Sequence, residues 1–233
     1  MKKLVPPTLV AMMLAALVAI PLPTTNAQAG LVSSALTKME RSRQSLRSLT
    51  ADISMEKYNS QLNDSDKYYG TVRYIPAGGR GASLVRLEWN KPQQEILVVA
   101  NGGYMLYRPR LKQVVTGNTT SVNNKTDSGV LSLLNMSAAQ LRARFGDFQD
   151  QREETIWGGV KTIHLKAVPK TAASYQYIEL WVDDNSGLPV QTKMVEKNGD
   201  STTMRLSNVN KNSDIPASTF KLDLDSSVKR IKG

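Results

Sequence analysis

The residue types that usually carry covalent or metal chemistry are scarce in this chain. It has one histidine and no cysteine in 233 residues. His164 lies between Ile163 and Leu165, and the local alternation predicts that it faces solvent from the polar side of a strand. Zinc sites need several histidine or cysteine ligands, and a serine nucleophile needs a Gly-x-Ser-x-Gly turn, which the sequence lacks. We therefore expect a binding protein that is not an enzyme and needs no metal or cofactor.

Paired acids and paired glycines fit turns better than catalytic or phosphate-binding sites. Asp183 and Asp184 begin the stretch Asp-Asp-Asn-Ser-Gly, which is typical of a tight turn between strands. Gly78-Gly79 and Gly102-Gly103 join strand to strand, whereas a phosphate-binding glycine loop joins a strand to a helix. Neither kind of pair predicts acid–base catalysis or nucleotide binding.

The first 29 residues have the pattern of a secretory signal peptide. Lys2-Lys3 is followed by an uncharged apolar segment over residues 8–20 and then by Ala27-Gln28-Ala29. Small residues at the last and third-last positions predict cleavage after Ala29, and two prolines cut the apolar segment too short for a membrane anchor. We expect an exported protein with a single domain over residues 30–233.

The formal net charge of +10 narrows the class of partner. Lysine and arginine are dispersed through the sequence, and export removes the protein from nucleic acid, so we do not expect nucleic-acid binding. The positive balance is compatible with anionic membrane surfaces or acidic partners. Without cysteine the processed chain has no disulfide and no lipidation site at its start, so we expect it to be soluble.

The elements that must position a binding site are mostly strands. Two apolar runs, residues 96–100 and 104–107, flank Asn101-Gly102-Gly103, whose residues tolerate the positive φ of a hairpin turn. Because both runs are apolar at successive residues, we expect both faces of this hairpin to be covered. Period-two patterns with short polar links predict an antiparallel series of strands: Thr50–Tyr58, Lys67–Ile75, Leu84–Trp89, Glu95–Ala100, Tyr104–Arg108, Lys112–Thr116, Phe148–Ile156, Val160–Val168, Tyr175–Asp183, Leu188–Lys197, Ser201–Val209 and a last short strand beginning at Phe220 and Leu222.

Two segments are predicted to be helical. Residues 31–49 have apolar positions at helical spacing and a basic outer face, and residues 129–145 form a short insertion in which Ser137 is a plausible N-cap. In the strand 85–89 the odd positions are apolar and the even ones charged, so one face of the sheet is apolar. The sequence predicts a mainly β domain of about eleven or twelve strands that curls into a partial barrel.

The ordered set of segments resembles the LolA family, the periplasmic carriers of outer-membrane lipoproteins. The most specific part is GTVRYIP followed by LVRLEWNKPQQEILVVANGGYMLYRPRLKQVV, similar to the family's strand–Pro–strand–hairpin–strand–Pro order. GVKTIHLKAVPK, IELWVDDNSGLPVQ and IPASTFKLDLDSSVKRI are similar to its later segments. The hairpin here has Asn101-Gly102 where the family tends to Asp-Gly. The resemblance implies an unclosed antiparallel β-barrel of about 11 strands with a small helical lid over an apolar cavity.

The alternation and the resemblance together predict the residues of a lipid-binding cavity. From the sheet we expect Val85, Leu87, Trp89, Ile96, Val98 and Leu106. From the helices we expect Leu36, Met39, Leu131 and Leu134.

The lid of the family is held by an arginine immediately before a proline, and this chain departs from that pattern. Ile75 precedes Pro76, so the resemblance leaves Arg80 or Arg73 to bond the helix carbonyls, or a lid that rests on apolar contacts alone.

The resemblance implies a periplasmic chaperone that carries lipid-modified proteins from the inner to the outer membrane, with their acyl chains in the cavity. The implied partners are acylated lipoproteins, an inner-membrane lipoprotein-releasing ABC transporter and an outer-membrane acceptor, and we expect a monomer. Two alternatives stay open: a carrier of another lipid or glycolipid, and a lipid-sensing module of the same fold.

Overall fold

The fold is given by a computed structural model that describes residues 25–77, 82–119 and 135–233, with side chains from residue 30 onward. Within these ranges, two α-helices and twelve strands follow one another: α1 (Thr25–Ser45), β1 (Leu49–Asn59), β2 (Asp64–Ile75), β3 (Leu84–Lys91), β4 (Glu95–Ala100), β5 (Gly103–Arg108), β6 (Gln113–Asn118), α2 (Ala138–Arg144), β7 (Phe145–Ile156), β8 (Val160–Pro169), β9 (Tyr175–Asp183), β10 (Pro189–Glu196), β11 (Ser201–Lys211) and β12 (Lys229–Lys232).

All twelve strands belong to one sheet, in the order β12-β6-β5-β4-β3-β2-β1-β11-β10-β9-β8-β7. Every neighbouring pair is antiparallel except β12 and β6, which are parallel. β12 and β7 are its two edges, so the barrel is not closed. The predicted mainly β fold, an open barrel of about eleven or twelve strands with a small helical lid, is confirmed, with twelve strands in the described residues.

The C-terminal segment differs from the sequence prediction. Phe220 does not begin a strand but ends a short 3-10 helix, Ala217–Phe220, and the last strand is β12. Arg86 Nη1 donates to the carbonyl oxygens of Thr219 (2.9 Å) and Lys221 (3.1 Å). Because a guanidinium from β3 satisfies these carbonyl groups, they need no strand partner, and a hydrophobic pattern cannot show this.

The centre of β4 in the central hairpin is buried on both faces, as its apolar run predicts, whereas β5 is half-buried along its length. Asn101 has a φ of 52° and Gly102 a φ of 74°, and they form the turn between β4 and β5. Leu97 and Val98, which point to opposite faces of β4, are 8% and 1% exposed. The 3-10 helix of the C-terminal segment contacts β3 and β4, and Arg86, which faces the same side as Val98, bonds to that segment.

The face of the sheet that carries Leu87, called the inner face, is apolar across most of the strands. Its buried residues form two clusters. The first cluster includes residues of β1 to β4, β10 and β11, together with Leu46, which follows α1. The second cluster joins α1 and α2 to β7, β8 and β9. The two helices therefore cover the second half of the inner face.

The helices agree with the predicted segments in type and differ in their bounds. α1 begins before residue 31 and ends at Ser45. Ser137 is the N-cap of α2, as predicted, in a capping box with Gln140: the Ser137 side chain accepts from the Gln140 amide at 3.1 Å. Residues 129–134 of the predicted insertion lie outside the described residues. Among the described residues, no helix is both long enough and apolar enough to cross a membrane.

Candidate functional site

The inner face of β2 and β3 is the centre of the candidate site. Val85, Leu87 and Trp89 are 8%, 5% and 8% exposed and belong to the first cluster. Leu87 pairs with Val72 on one side and with Leu97 on the other. Residues opposite one another in antiparallel strands point to the same face, so these side chains form one apolar wall.

Four of the six predicted sheet residues lie on this wall, and two do not. Leu106 pairs with Leu97 and packs against the first cluster. Ile96 and Val98 pair with Glu88 and Arg86, and so they point to the outer face. Their assignment to the wall is corrected by the register, which places Leu97 there instead. A run that is apolar at every residue contains no alternation from which its inner face could be read.

The predicted helix residues lie in the other half of the inner face. Leu36 and Met39 are 1% and 4% exposed and belong to the second cluster, with Leu141 and Phe145. They are therefore inward-facing, as expected, but pack over β7, β8 and β9 and not over the wall. Leu131 and Leu134 lie outside the described residues.

Of the two arginines proposed for the lid, only one is described. Arg73 pairs with Arg86 across β2 and β3, so it points to the outer face, where its Nη1 lies 3.3 Å from Glu88 Oε1. This position is on the opposite side of the sheet from α1 and α2, and it cannot supply bonds to their carbonyl groups. Arg80 lies outside the described residues.

The lid helix α2 is connected to α1 through Glu40. Glu40 Oε2 accepts from the amide of Ala138 (3.1 Å), the first residue of α2, and Glu40 Oε1 accepts from Arg43 Nη2 (2.5 Å) and Gln44 Nε2 (3.0 Å). The hydrogen bond from Arg43, followed by the one from Ala138, lowers the pKa of Glu40 to about 2. Its carboxylate stays charged at neutral pH and holds a helix amide that would otherwise lack an intrahelical partner.

A second polar contact connects the chain just before α2 to the sheet. The Tyr74 hydroxyl, at the centre of the first cluster, donates to Asn135 Oδ1. Burial of the Tyr74 ring raises the pKa of its hydroxyl, so it remains a donor. Sequence reasoning missed Tyr74 because it fits the apolar alternation of β2. Glu40 and Arg43 had a visible signal, their spacing of three residues on the predicted helix.

The space between α1 and the β9–β10 turn is small. A cleft there holds about 10 Å³, which is about the room for one water molecule. Gly187 in that turn lies so close to α1 that a Cβ atom would be 2.3 Å from the Lys38 carbonyl oxygen, and Lys38 forms an ion pair with Asp184. Among the described residues, α1 is therefore seated directly on the rim of the barrel.

The outer face carries a polar cluster around His164, which is buried and not solvent-facing as the sequence predicted. Its ring packs on Trp181, with 4.6 Å between centroids, and its Nδ1–H donates to the Asp150 carbonyl at 2.9 Å. Its Nε2 lies 3.6 Å from Glu179 Oε2, and this contact, with Lys193 nearby, lowers the pKa of Glu179. The neighbouring tryptophan and the β7 bulge at Asp150, where φ is 51°, explain the burial.

Comparisons with known proteins agree with this architecture. The family model described as "Outer membrane lipoprotein carrier protein LolA" matches residues 80–223. No curated protein matches the chain. Among solved structures, an uncharacterized conserved protein from Thermus thermophilus has a TM-score of 0.56 at 11% identity, over 86% of this chain and 98% of that one.

Two further structures have the same fold at similar distance. LprF from Mycobacterium bovis has a TM-score of 0.51 at 14% identity, over 83% of this chain and 97% of that one. MucB has a TM-score of 0.54 at 15% identity, over 82% of this chain and 62% of that one. Since the family model spans more than half of the sequence and the open barrel carries a helical lid on its apolar face, this chain belongs to the LolA family.

Proposed function

We propose that this protein is a periplasmic carrier that takes lipid-modified proteins from the inner to the outer membrane. The observation that carries the proposal is the inner face: a wall of apolar side chains on β2, β3 and β4 continues into a second apolar cluster under two helices. Membership of the LolA family supports the same conclusion. The wall would contact the acyl chains, and α1 and α2 would move aside to extend the site over the second cluster.

The size of the apolar face matters because exposed acyl chains are costly in water. At about 0.8 kcal/mol for each CH₂ group, a sixteen-carbon chain costs about 12 kcal/mol to expose. A carrier must offer comparable burial. The wall and the second cluster are formed by side chains without charge, and neither needs covalent chemistry to bind or to release a hydrocarbon chain.

Access of an acyl chain to the second cluster requires the lid to move, because α1 and α2 pack on that half of the inner face. The described polar contacts to α2 and to Asn135 just before it include those from Glu40 and Tyr74, and the Lys170 amide donates to the carbonyl of Arg144 at the end of α2. Hydrogen bonds of this kind contribute about 1 kcal/mol each, so an incoming acyl chain can offset their loss. Glu40 and Tyr74 thus hold the lid in the place of Arg73; Arg80, the other arginine that the resemblance implies, lies outside the described residues.

The proposed route includes partners on both membranes. The chain has no nucleotide-binding loop, so energy for loading would come from an inner-membrane lipoprotein-releasing ABC transporter, and an outer-membrane acceptor would take the cargo. Export would depend on residues 1–29, with the mature protein beginning at Gly30.

The test uses purified protein freed of lipid and a fluorescent triacylated lipopeptide. We expect saturable binding of the lipopeptide and no binding of the same peptide without acyl chains. A fluorescent phospholipid serves as the alternative ligand. If the phospholipid binds, and the lipopeptide neither binds nor displaces it, the protein carries another lipid and the proposal is wrong.

A matched pair of valines tests whether the wall is the binding surface. Val85 points to the inner face and Val98 to the outer face, on adjacent strands, and both are buried. Val→Thr keeps the shape and places a hydroxyl in an apolar site, which costs about 1–3 kcal/mol. Val85→Thr should weaken lipopeptide binding about fivefold or more, whereas Val98→Thr should lower stability alone. Equal effects on binding would contradict the assignment of the wall.

A further inference from the structure

A corner of the sheet gathers exposed cations around an exposed leucine. The connection between β5 and β6 is a 3-10 helix, Pro109–Leu111, with no buried residue. Leu111 is 64% exposed, and the residues on either side of it, Arg110 and Lys112, are exposed as well. A single exposed leucine is ordinary on a protein surface, so its neighbours decide whether it has a role.

The C-terminal strand adds two more cations to the same corner. The amide of Lys229 donates to the Lys112 carbonyl at 2.8 Å, and β12 then runs parallel to β6 with Lys229 opposite Gln113. Paired strands lie about 5 Å apart, so exposed Lys229 and Arg230 become neighbours of residues more than a hundred positions earlier. These residues are called the basic corner: Arg110, Leu111, Lys112, Lys229 and Arg230.

The basic corner is an ordered part of the fold. Lys112 has a φ of 45°, and its amide donates to the Pro109 carbonyl at 3.0 Å, which closes the turn. At the other end of β12 the Gly233 amide donates to the Thr116 carbonyl at 2.8 Å. Since both backbones are held by hydrogen bonds, Leu111 is presented outward by a fixed turn.

The cations of the corner have no acidic partner among the residues that the structure describes. At this end of the sheet, Glu95 is already bonded by Arg108 at 2.9 Å, and the Asp225 carboxylate accepts from the amide of Ser227 at 2.7 Å. The four charges of the corner are therefore available to an external anion.

Antiparallel alternation places a second exposed leucine at the same end of the sheet. The β1–β2, β3–β4 and β5–β6 connections all lie at this end. Leu62 in the first of them is 75% exposed, and Lys91 at the start of the second is exposed too. Exposed Asp64 and Asp66 follow Leu62, so the positive charge at this end of the barrel is concentrated at the basic corner.

We propose that the basic corner docks on an anionic phospholipid surface. Cationic side chains would bind lipid phosphates, while Leu111 would enter the boundary between headgroups and acyl chains. An acidic protein would satisfy the charges equally well but gives no reason for a fixed, exposed leucine among them. This proposal goes beyond cargo carriage, and it does not depend on whether the inner face binds lipopeptides.

The experiment measures binding of the cargo-free protein to vesicles by flotation. One set of vesicles is pure phosphatidylcholine and the other contains about 30% phosphatidylglycerol, which gives the negative surface potential on which such binding depends. The test variant is Lys112→Gln/Lys229→Gln. Its matched control is Lys161→Gln/Lys211→Gln, which removes two exposed lysines at the opposite end of the strands and keeps the net charge equal. Leu111→Ser tests the apolar contact.

We expect wild type and the control to bind the anionic vesicles selectively, and the test variant to bind roughly 25-fold more weakly, because each of its two lysines near such a surface contributes about fivefold. Leu111→Ser should lose several-fold with an unchanged thermal midpoint, since its side chain is exposed. Equal binding to both kinds of vesicle, or equal losses for the test and control variants, would overturn the proposal, as would an unaffected Leu111→Ser, because charge alone would then account for the binding. No binding to either kind of vesicle would also overturn it and would favour an acidic protein partner.

Discussion

Glu40 connects the lid helix to α1 through a carboxylate that is charged at neutral pH. Its folded-state pKa of about 2 lies below the ordinary value of 4.5, chiefly because of the bond from Arg43. A carboxyl whose pKa is depressed on folding stabilises the fold fully above its unfolded value, and this stabilisation is lost as the pH falls through the folded value. The anchor of α2 should therefore be intact above about pH 4.5 and weaken towards pH 2.

Glu40→Gln is the residue-scale prediction. The amide oxygen can still accept one bond, but the charge that attracts Arg43 and the Ala138 amide is lost, so hydrogen exchange in residues 138–144 should quicken by about fivefold, equivalent to about 1 kcal/mol. Glu153→Gln, at an exposed residue without an ion pair among the described residues, is the matched control. Unchanged exchange in α2 would show that apolar packing alone holds the lid.

Arg86 and Arg73 show how a strand holds an element that the hydrophobic pattern does not predict. They are direct partners across β2 and β3, and both bond to Glu88. Arg86 alone also reaches the carbonyl groups of Thr219 and Lys221. The two arginines therefore share Glu88 as a partner, and they differ in that Arg86 also holds the C-terminal segment.

Arg86→Leu should release the C-terminal segment, whereas Arg73→Leu should not. Loss of two charge-assisted bonds to carbonyl groups should lower the free energy of unfolding by about 1–3 kcal/mol. Limited proteolysis between residues 212 and 228 should become faster in the Arg86 variant. Cleavage at equal rates in the two variants would mean that Phe220 alone anchors the segment.

The elements were largely predictable, and the side on which their residues point was predictable only in part. Val85, Leu87 and Trp89 alternate with charged residues, so the sequence alone placed them on the inner face, and pairing confirms it. Ile96 and Val98 were assigned to the wrong face, because residues 96–100 are all apolar and show no alternation. Their face follows from the register with β3, which is a long-range property.

Polar anchors were harder to predict than strands because they join distant parts of the chain. Tyr74 and Asn135, or Arg86 and Thr219, have no local signature, because the members of the two pairs are 61 and 133 residues apart in the sequence. Ser137 was predictable as a helix cap, since its partner Gln140 lies three residues away.

At the scale of the whole molecule, β12 covers an edge that would otherwise be open. It is paired with β6 along Gln113 to Thr116, and the sheet ends there. An uncovered strand presents unpaired amide and carbonyl groups to other chains. The short, positively charged β12 thus suits a protein expected to remain a monomer.

Deletion of residues 229–233 should expose β6 and promote association. We expect light scattering of the deleted protein to rise with concentration, while monomeric wild type stays constant, because the freed edge can pair with another copy. A variant in which Gly and Ser replace the five residues keeps the length of the chain and removes the side chains of β12. It therefore tests whether strand pairing or chain length matters. If that variant and the deletion both remain monomeric, β12 is not what protects the edge.

The burial of His164 has a spectroscopic consequence. Since the chain has one histidine, its imidazole gives a single set of ring signals in a proton–nitrogen correlation spectrum, without site-directed labelling. The aromatic current of Trp181, 4.6 Å away, should shift those signals from the values of an exposed histidine. The ring is bonded to the bulge of β7, and α2 runs directly into that strand. A natural reporter therefore stands behind the lid, on the far side of the sheet from any bound lipid, where displacement of α2 can be followed without interference from cargo.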